Sequence, residues 1–365
     1  MSQRKLSLAV KYRPKTFEDV SEQSSIKVIL ENQIKNNIVK HAYLFCGGAG
    51  TGKTTTARIV ANMINEGKGS PIELDCASNN GVDDMRAIQD ECRTRPLEGK
   101  YKIFILDECH MITQQGWNSM LKILEEPPEY VVFLFCTTDP QKIIGTIMSR
   151  VQRFNFQRIS TQGIVNRLKY IIQHENEDYF SDISISPEEY ESRQLAKSQG
   201  ATYITYEDSA IEYIARLAKG GMRDAITTLE KCLDFSNQLT LQNVHLITSG
   251  GVTEQALLKL LKFMLDKDSK QALLHFNDIF MSGIDTSLLL KLYTEFLDNC
   301  VKFLITKSPN VVTISDITLK WLEQNASFLS QIRQLLIDAI HIRNDYSSED
   351  LKILIESWII QVCNS

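Results

Sequence analysis

The sequence predicts an α/β fold: a doubly wound domain on a parallel sheet, followed by two all-helical domains. Three observations carry this. Short apolar runs alternate with amphipathic stretches through the first 160 residues. A glycine-rich loop joins the first of these runs to the helix after it. Beyond that point the strand-like runs stop and only helical stripes follow. Strand–helix alternation implies a sheet covered by helices on both faces, and unbroken helical patterning implies bundle-like packing.

The candidate strands are residues 41–46, 72–75, 102–106, 131–137 and 151–156. The middle runs are short, apolar on both faces and bounded by turn or charged residues, as buried parallel strands are. Between them lie helical stretches such as TTTARIVANMI, where Ala57, Val60, Met63 and Ile64 line one face. Past residue 160, IVNRLKYIIQH and DSAIEYIARLAKGGMRDAITTLEKCLDF read as amphipathic helices. Between them residues 175–203 are acidic, polar and weakly periodic, and read as an insertion or mobile loop. From residue 242 onward ALLKLLKFMLDKD, LLLKLYTEFLDNCVKFLI and LKILIESWIIQV carry apolar helical stripes. The expected domains are therefore 1–160, 161–240 and 241–365.

Composition narrows the function. The chain has 365 residues, 43% hydrophobic and 23% charged, which is ordinary for a soluble globular protein. No run of eighteen apolar residues and no leader-type apolar stretch is visible, so no membrane association is expected and the cytoplasm is the default location. A net charge of -5 argues against coating nucleic acid by bulk electrostatics. The charge is uneven, however: residues 1–60 hold ten Lys/Arg against four Asp/Glu, and residues 171–210 hold two against nine. None of the eight cysteines stands in a CxxC pair, so reduced, buried thiols are expected rather than zinc.

Residues 47–54 read GGAGTGKT, a match to GxxxxGK[ST] placed after a strand and opening a helix. Gly47, Gly48, Ala49, Gly50, Thr51 and Gly52 would wrap phosphates with inward-pointing N–H groups, and the helix start adds positive potential. Lys53 would reach the β- and γ-phosphates, Thr54 would ligate Mg²⁺, and Thr55 continues the first turn. This is a site for ATP with Mg²⁺. The alternative, a glycine-rich turn that binds nothing, does not fit a loop placed between a strand and a helix. Residues 103–106 run directly into Asp107 and Glu108. Two carboxylates at the C-terminal end of an apolar strand face the ligand edge of a parallel sheet. Asp107 suits the Mg²⁺ and Glu108 the attacking water. A solvated strand end is the plainer alternative for a lone pair, but not for one following a phosphate loop. His110 reads as a neighbour in the turn, neither ligand nor base.

At this point KYRPKTFEDV, GGAGTGKTTTARIVA, ELDCASNNGVDDMR, EGKYKIFILDECHMIT, NSMLKILEEPPEYVVFLFCTTDPQKI and MSRVQRFNF together resemble the γ/τ subunits of bacterial DNA polymerase III, AAA+ ATPases of the clamp loader. The likeness is nearly continuous over residues 8–160, resumes at GGMRDAITTLEK, and weakens in the C-terminal part. It implies an AAA+ domain, a small helical lid and a helical collar that holds the oligomer together. It further implies a hetero- or homo-oligomer, expected to be a pentamer, that opens a sliding clamp and loads it on primer–template DNA. By position, Tyr12, Arg13 and Pro14 look like the adenine-side contact and Thr138 like the residue that senses the γ-phosphate. Arg150 resembles the arginine finger that acts on a neighbour's ATP, and Arg223 the second sensor on the lid. For both arginines the plain alternative is an ion pair. Lys142, Thr146, Ser78, Asn79 and Arg86 lie where related loaders touch DNA backbone, although polar residues at helix starts are ordinarily caps.

The chain departs from the family in two places. Only NMINEGKGSPI stands where a four-cysteine zinc module is usual, and the SRC motif reads Ser149–Arg150–Val151. The resemblance thus points to a divergent bacterial or bacteriophage-encoded form, and the absence of a Pro-rich or basic tail to the short, γ-like version. Two rivals are weighed: a non-hydrolysing structural subunit of the same loader, and another AAA+ machine such as a branch-migration helicase. Intact Lys53, Thr54, Asp107 and Glu108 speak against the first, and the MSRVQR motif with a helical C-terminal part against the second. No nucleotidyl-transfer constellation is present, so a polymerase label would come only from the holoenzyme.

The cysteine spacing generates a direct test. Purified protein should carry no stoichiometric zinc, since a structural site needs four well-spaced ligands. Elemental analysis that finds about one tightly held zinc per chain after mild chelation contradicts this.

Overall fold

The computed structural model describes residues 6–182, 185–248, 252–345 and 351–364. In chain order the first part contains α1 (Leu8–Lys11), α2 (Ser24–Lys35), β1 (Ala42–Cys46), α3 (Lys53–Ile64), β2 (Ile72–Asp75) and α4 (Val82–Glu91). It continues with β3 (Lys102–Asp107), α5 (Gln114–Glu125), β4 (Val131–Thr137), α6 (Gly145–Met148) and β5 (Gln152–Asn155). Then come α7 (Thr161–Ser181), α8 (Pro187–Ser198), β6 (Thr205–Tyr206), α9 (Asp208–Leu217), α10 (Met222–Phe235) and β7 (Gln238–Leu239). The remainder is helical: α11 (Leu241–Thr248), α12 (Glu254–Leu265), α13 (Ser269–Met281), α14 (Thr286–Thr306), α15 (Asp316–Gln324), α16 (Leu329–Asp345) and α17 (Leu351–Asn364).

The first five strands form one parallel sheet in the order β2-β3-β4-β1-β5. Alternation along the strands sorts their side chains onto two faces. Leu44, Phe104, Leu106, Phe133 and Phe135 pack with Met85, Trp117, Met120 and Ile147 of α4, α5 and α6. Tyr43, Phe45, Ile103, Ile105, Val132 and Leu134 pack with Ile26 and Leu30 of α2 and Ala57, Val60 and Ile64 of α3. The three inner strands are buried on both faces, as their sequence predicts. The edge strand β2 is mostly exposed, which departs from the doubly apolar reading of the middle runs.

The chain divides into two compact units, residues Met1–Ile204 with Ile214–Glu230 and residues Thr205–Tyr213 with Lys231–Ser365. Two sequence expectations need correction. Strands do not stop near residue 160, because β6 and β7 form a short parallel pair. Nor is the stretch 175–203 a loop where it is described. It finishes α7 and forms α8, whose N-cap Ser186 accepts from Glu189 N with Pro187 in the first turn. The Arg193 guanidinium lies 3.9 Å from the Tyr179 ring centroid and donates to the Tyr179 carbonyl. Tyr179 stacks on Tyr203 at 3.8 Å. Polar α8 is held by aromatic and cation–π contacts rather than by an apolar stripe, which is why its periodicity is faint. Residues 183 and 184 of that stretch lie outside the described residues. No described helix is long and apolar enough to cross a membrane.

The second unit has its own core, built from α12 to α17 around Leu261, Phe276, Leu297, Phe303, Leu322 and Ile359. Glu254, the first residue of α12, ties this core to α15. Its carboxylate accepts from Ser315 N at 3.0 Å and Ser315 Oγ at 2.7 Å, and also from Thr318 Oγ1. Glu254→Ala leaves three donors without an acceptor, one of them on the buried Thr318. The expected loss is about 1–3 kcal/mol, read as a lower urea midpoint at unchanged slope. An unchanged midpoint would show that water replaces the carboxylate at no cost.

Candidate functional site

The site is built at the C-terminal edge of three adjacent strands, β3, β4 and β1. The loop after β1 and the first turn of α3 carry residues 47–54, β3 ends on Asp107, and Thr138 follows β4. Two glycines have a visible steric reason. A Cβ on Gly47 would stand 2.6 Å from the Phe156 carbonyl oxygen. Gly50 has a φ of +69° and lies against the backbone of Gly221. Its carbonyl accepts from Met222 N at 2.9 Å, so the loop tip meets the start of α10, where Arg223 stands.

Lys53 opens α3 and is buried. Its Nζ donates to the carbonyls of Gly47 at 2.9 Å and Gly48 at 2.8 Å. Burial lowers its pKa, while the nearby Glu108 and Asp107 carboxylates work against that shift. Thr54 Oγ1 donates to Asp107 Oδ2 at 2.8 Å. A hydroxyl and a carboxylate oxygen so close are the hard donors that Mg²⁺ accepts, with substrate phosphate and water completing its shell. Thr51 Oγ1 closes the loop by donating to Gly48 O, Ala49 lies beside Gly221, and Thr55 is half-buried on the first turn of α3.

Glu108 has a left-handed backbone, φ 47°, rare for a residue with a side chain. Its Oε2 accepts from Thr138 Oγ1 at 2.9 Å and lies 3.2 Å from His110 Nδ1. His110 Nδ1 also stands 3.2 Å from the hydroxyl of the fully buried Thr137. Four buried thiols, Cys46, Cys76, Cys109 and Cys136, lie at or just past the C-terminal ends of the strands. Burial raises the pKa of each, most for Cys109 and Cys136, which keeps them protonated and unreactive.

Lys53, Thr54, Asp107, Glu108 and Thr138 are thus brought together, with Arg223 entering next to Gly50 through its backbone. Tyr12 is held by α7: its hydroxyl donates to Glu175 at 2.8 Å, and Arg167 donates to its carbonyl. Lys11 donates to both Glu175 and Asp178 at 2.6 Å. Glu230 of α10 accepts from Leu8 N at the start of α1. Arg13 and Pro14 follow, half-buried. Arg150 pairs with Glu125 of its own chain at 2.5 Å and donates to the Thr146 carbonyl. Arg86 pairs with Asp83 and Lys142 with Asp139. Ser78 and Asn79 form the turn after β2, on Asp75 O. Two contributors carry little signal in the sequence. His110 is visible there only as the residue two places after the acidic pair, and Glu175 only as one acid in an acidic stretch.

A family model described as DNA polymerase III, delta subunit, matches residues 64–160. The chain is 36% identical over 301 residues to DNA polymerase III subunit tau of Bacillus subtilis, covering 77% of this chain and 49% of that protein. It is 32% identical to DNA polymerase III subunit gamma of Buchnera aphidicola subsp. Acyrthosiphon pisum, covering 80% of this chain and 79% of that protein. The chain therefore spans about half the length of the Bacillus relative. Among solved structures, the Thermotoga maritima RuvB Holliday junction branch migration motor is similar at a TM-score of 0.48 and 19% identity, over 69% of this chain and 79% of that one.

The α7 contacts generate a prediction. Glu175→Ala removes the shared acceptor of Lys11 and Tyr12. Amide exchange across residues 8–12 should then quicken roughly three- to tenfold, the scale of a partly exposed charged hydrogen bond. Lys11→Glu combined with Glu175→Lys should recover part of the protection. Exchange equal to wild type in Glu175→Ala would show that the cluster does not hold α1.

Proposed function

The chain belongs to the γ/τ family of bacterial DNA polymerase III subunits, and we propose that it is an ATP-hydrolysing subunit of a sliding-clamp loader. The observation that carries this reading is the Thr54–Asp107 hydrogen bond, with Lys53 on one side and the Glu108–Thr138 pair on the other. A protein that only bound a nucleotide would have no need of the second pair.

In this reading the loop amides and Lys53 bind the β- and γ-phosphates of ATP. Thr54 and Asp107 hold Mg²⁺, which when bound neutralises charge on the phosphate oxygens. Glu108 aims and polarises the attacking water. Thr138 turns its hydroxyl to the γ-phosphate. Arg223 acts in cis at the head of α10, and Tyr12, Arg13 and Pro14 lie on the adenine side. Residues 1–160 are the AAA+ domain, 161–240 the lid and 241–365 the collar of an oligomer, a pentamer with homologous or companion subunits. Ser78, Asn79, Arg86, Lys142 and Thr146 track the backbone of primer–template DNA, without reading its sequence. α4, α5 and α6, which border these residues, all cover the same face of the sheet. The clamp is the cargo, zinc is not required, and the work is done in a cytoplasm, bacterial or that of a phage-infected host.

Arg150 is assigned to the neighbouring subunit's ATP. Its partner Glu125 is 50% exposed at the side chain, and so open a pair is worth little. Exchanging it for a phosphoryl group is therefore cheap. An arginine in that role is worth roughly 10³-fold or more. Arg150→Ala subunits should bind ATP nearly normally but lose DNA-stimulated hydrolysis when all subunits carry the change. Mixing them with Lys53→Ala subunits, under conditions of confirmed exchange, should restore part of it, because a subunit with a dead site can lend its Arg150. The measurement is ATPase rate against mixing ratio. A rate never above the sum of the separate variants leaves Arg150 as a local ion pair.

A further inference from the structure

We propose that His110 is a positioning residue for hydrolysis, the anchor that keeps the Glu108 carboxylate aimed while Thr138 serves the phosphate. This rests on the ATPase reading of the same site. Glu108 needs anchoring. Its left-handed backbone is a strained conformation that persists only when surrounding contacts fix it. Asp107 Oδ1 fixes the main chain by accepting from Glu108 N at 3.0 Å. The side chain is 35% exposed, and its Oε2 accepts from Thr138 Oγ1 at 2.9 Å and Thr138 N at 3.3 Å and lies 3.2 Å from His110 Nδ1.

In the proposed arrangement the imidazole proton sits on Nδ1. A carboxylate accepts and cannot donate. His110 Nδ1 lies 3.2 Å from the Glu108 oxygen, a contact that a hydrogen on Nδ1 makes attractive. The aligned hydrogen bond of Nδ1 is with Thr137 Oγ1 at 3.2 Å, which also accepts from Asp139 N at 3.0 Å. His110 is only 12% exposed, so it cannot leave this seat easily. Thr137 ends β4 and is fully buried, so the seat is referenced to the central sheet.

The two anchors differ in what else they can do. Thr138 has a competing acceptor, because a γ-phosphate offers its hydroxyl a more highly charged oxygen than Glu108 does. When the Thr138 hydroxyl turns to that phosphate, Glu108 keeps only the longer 3.3 Å bond from Thr138 N on that side. His110 is seated on Thr137 rather than on the phosphate, so its Nδ1 stays within reach of Glu108. It thereby separates sensing the phosphate from aiming the base, two roles that a single threonine would otherwise have to share.

The test uses the assembled loader with clamp and primed DNA. His110→Ala should lower kcat for DNA-stimulated hydrolysis about 10- to 100-fold, the scale of a misplaced catalytic group, with ATP affinity changed less than about twofold. His110→Asn, whose amide N–H can replace Nδ1–H, should recover most of the rate. Thr137→Val, which keeps the buried shape, should give a smaller fall. In a Glu108→Gln background His110→Ala should cost almost nothing further, because it acts through Glu108. An unchanged or increased rate in His110→Ala, equal losses in the Ala and Asn variants, or a full further loss on top of Glu108→Gln would each overturn the proposal. Wild-type loader that binds ATP without hydrolysing it would instead remove the ATPase reading, and this inference with it.

Discussion

The hydrogen bond from Thr54 to Asp107 is the point on which the rest of the site turns. It joins the first turn of α3 to the end of β3, across the intervening β4. That span is possible only because the parallel sheet places β3, β4 and β1 side by side with their C-terminal ends level. The register makes this concrete: Cys46 of β1 stands opposite Thr137 of β4, and Leu106 of β3 opposite Phe135. A slip of one residue would turn each side chain to the other face of the sheet. The alternation that divides Leu44 and Phe133 from Tyr43 and Val132 is thus also what brings a hydroxyl to a carboxylate.

Electrostatics at that edge is a balance of one buried cation and two carboxylates. Lys53 is burdened by burial and supported by Glu108 and Asp107, and its Nζ donates to two loop carbonyls. A triphosphate would offer it stronger acceptors. The same burial drives the neighbouring thiols in the opposite direction, away from thiolate. Charge is therefore concentrated on the groups that face the ligand, while the layer beneath stays neutral.

Much of this is legible in sequence, for physical reasons that differ between elements. The phosphate loop has fixed spacing because its backbone must curl round an anion, and Asp107 and Glu108 stand out by ending an apolar run. The inner strands are legible because both their faces are buried. β6 and β7, of two residues each, are too short to carry any period. α8 buries no residue, so the only signal available is its cap, Ser186 with Pro187 and two glutamates in the first turn. The contacts of Glu175 with Lys11 and Tyr12 join residues more than 160 positions apart, and no local pattern encodes such a meeting.

Those long-range contacts bear on how the nucleotide site could respond to its ligand. α10 begins where Met222 N donates to Gly50 O, and further along it accepts from Leu8 N through Glu230. The linker before α7 is tied in by Ile159 N donating to Gly220 O. Two residues of that linker's far side, Glu22 and Gln23, hold left-handed backbones and grip it: Glu22 accepts from Ser160, and Gln23 exchanges hydrogen bonds with Gln157. The phosphate loop, the start of α10, the linker and the N-terminal segment are therefore linked by hydrogen bonds, main chain to main chain at Gly50–Met222 and Gly220–Ile159 and through the side chains of Glu230, Glu22 and Gln23 elsewhere. A shift of the loop at Gly50 would be passed to α10 as displacement of a rigid helix, and from α10 to α1 through Glu230. In the proposed function this route would act alongside the contacts of Thr138 and Arg223 with the phosphates.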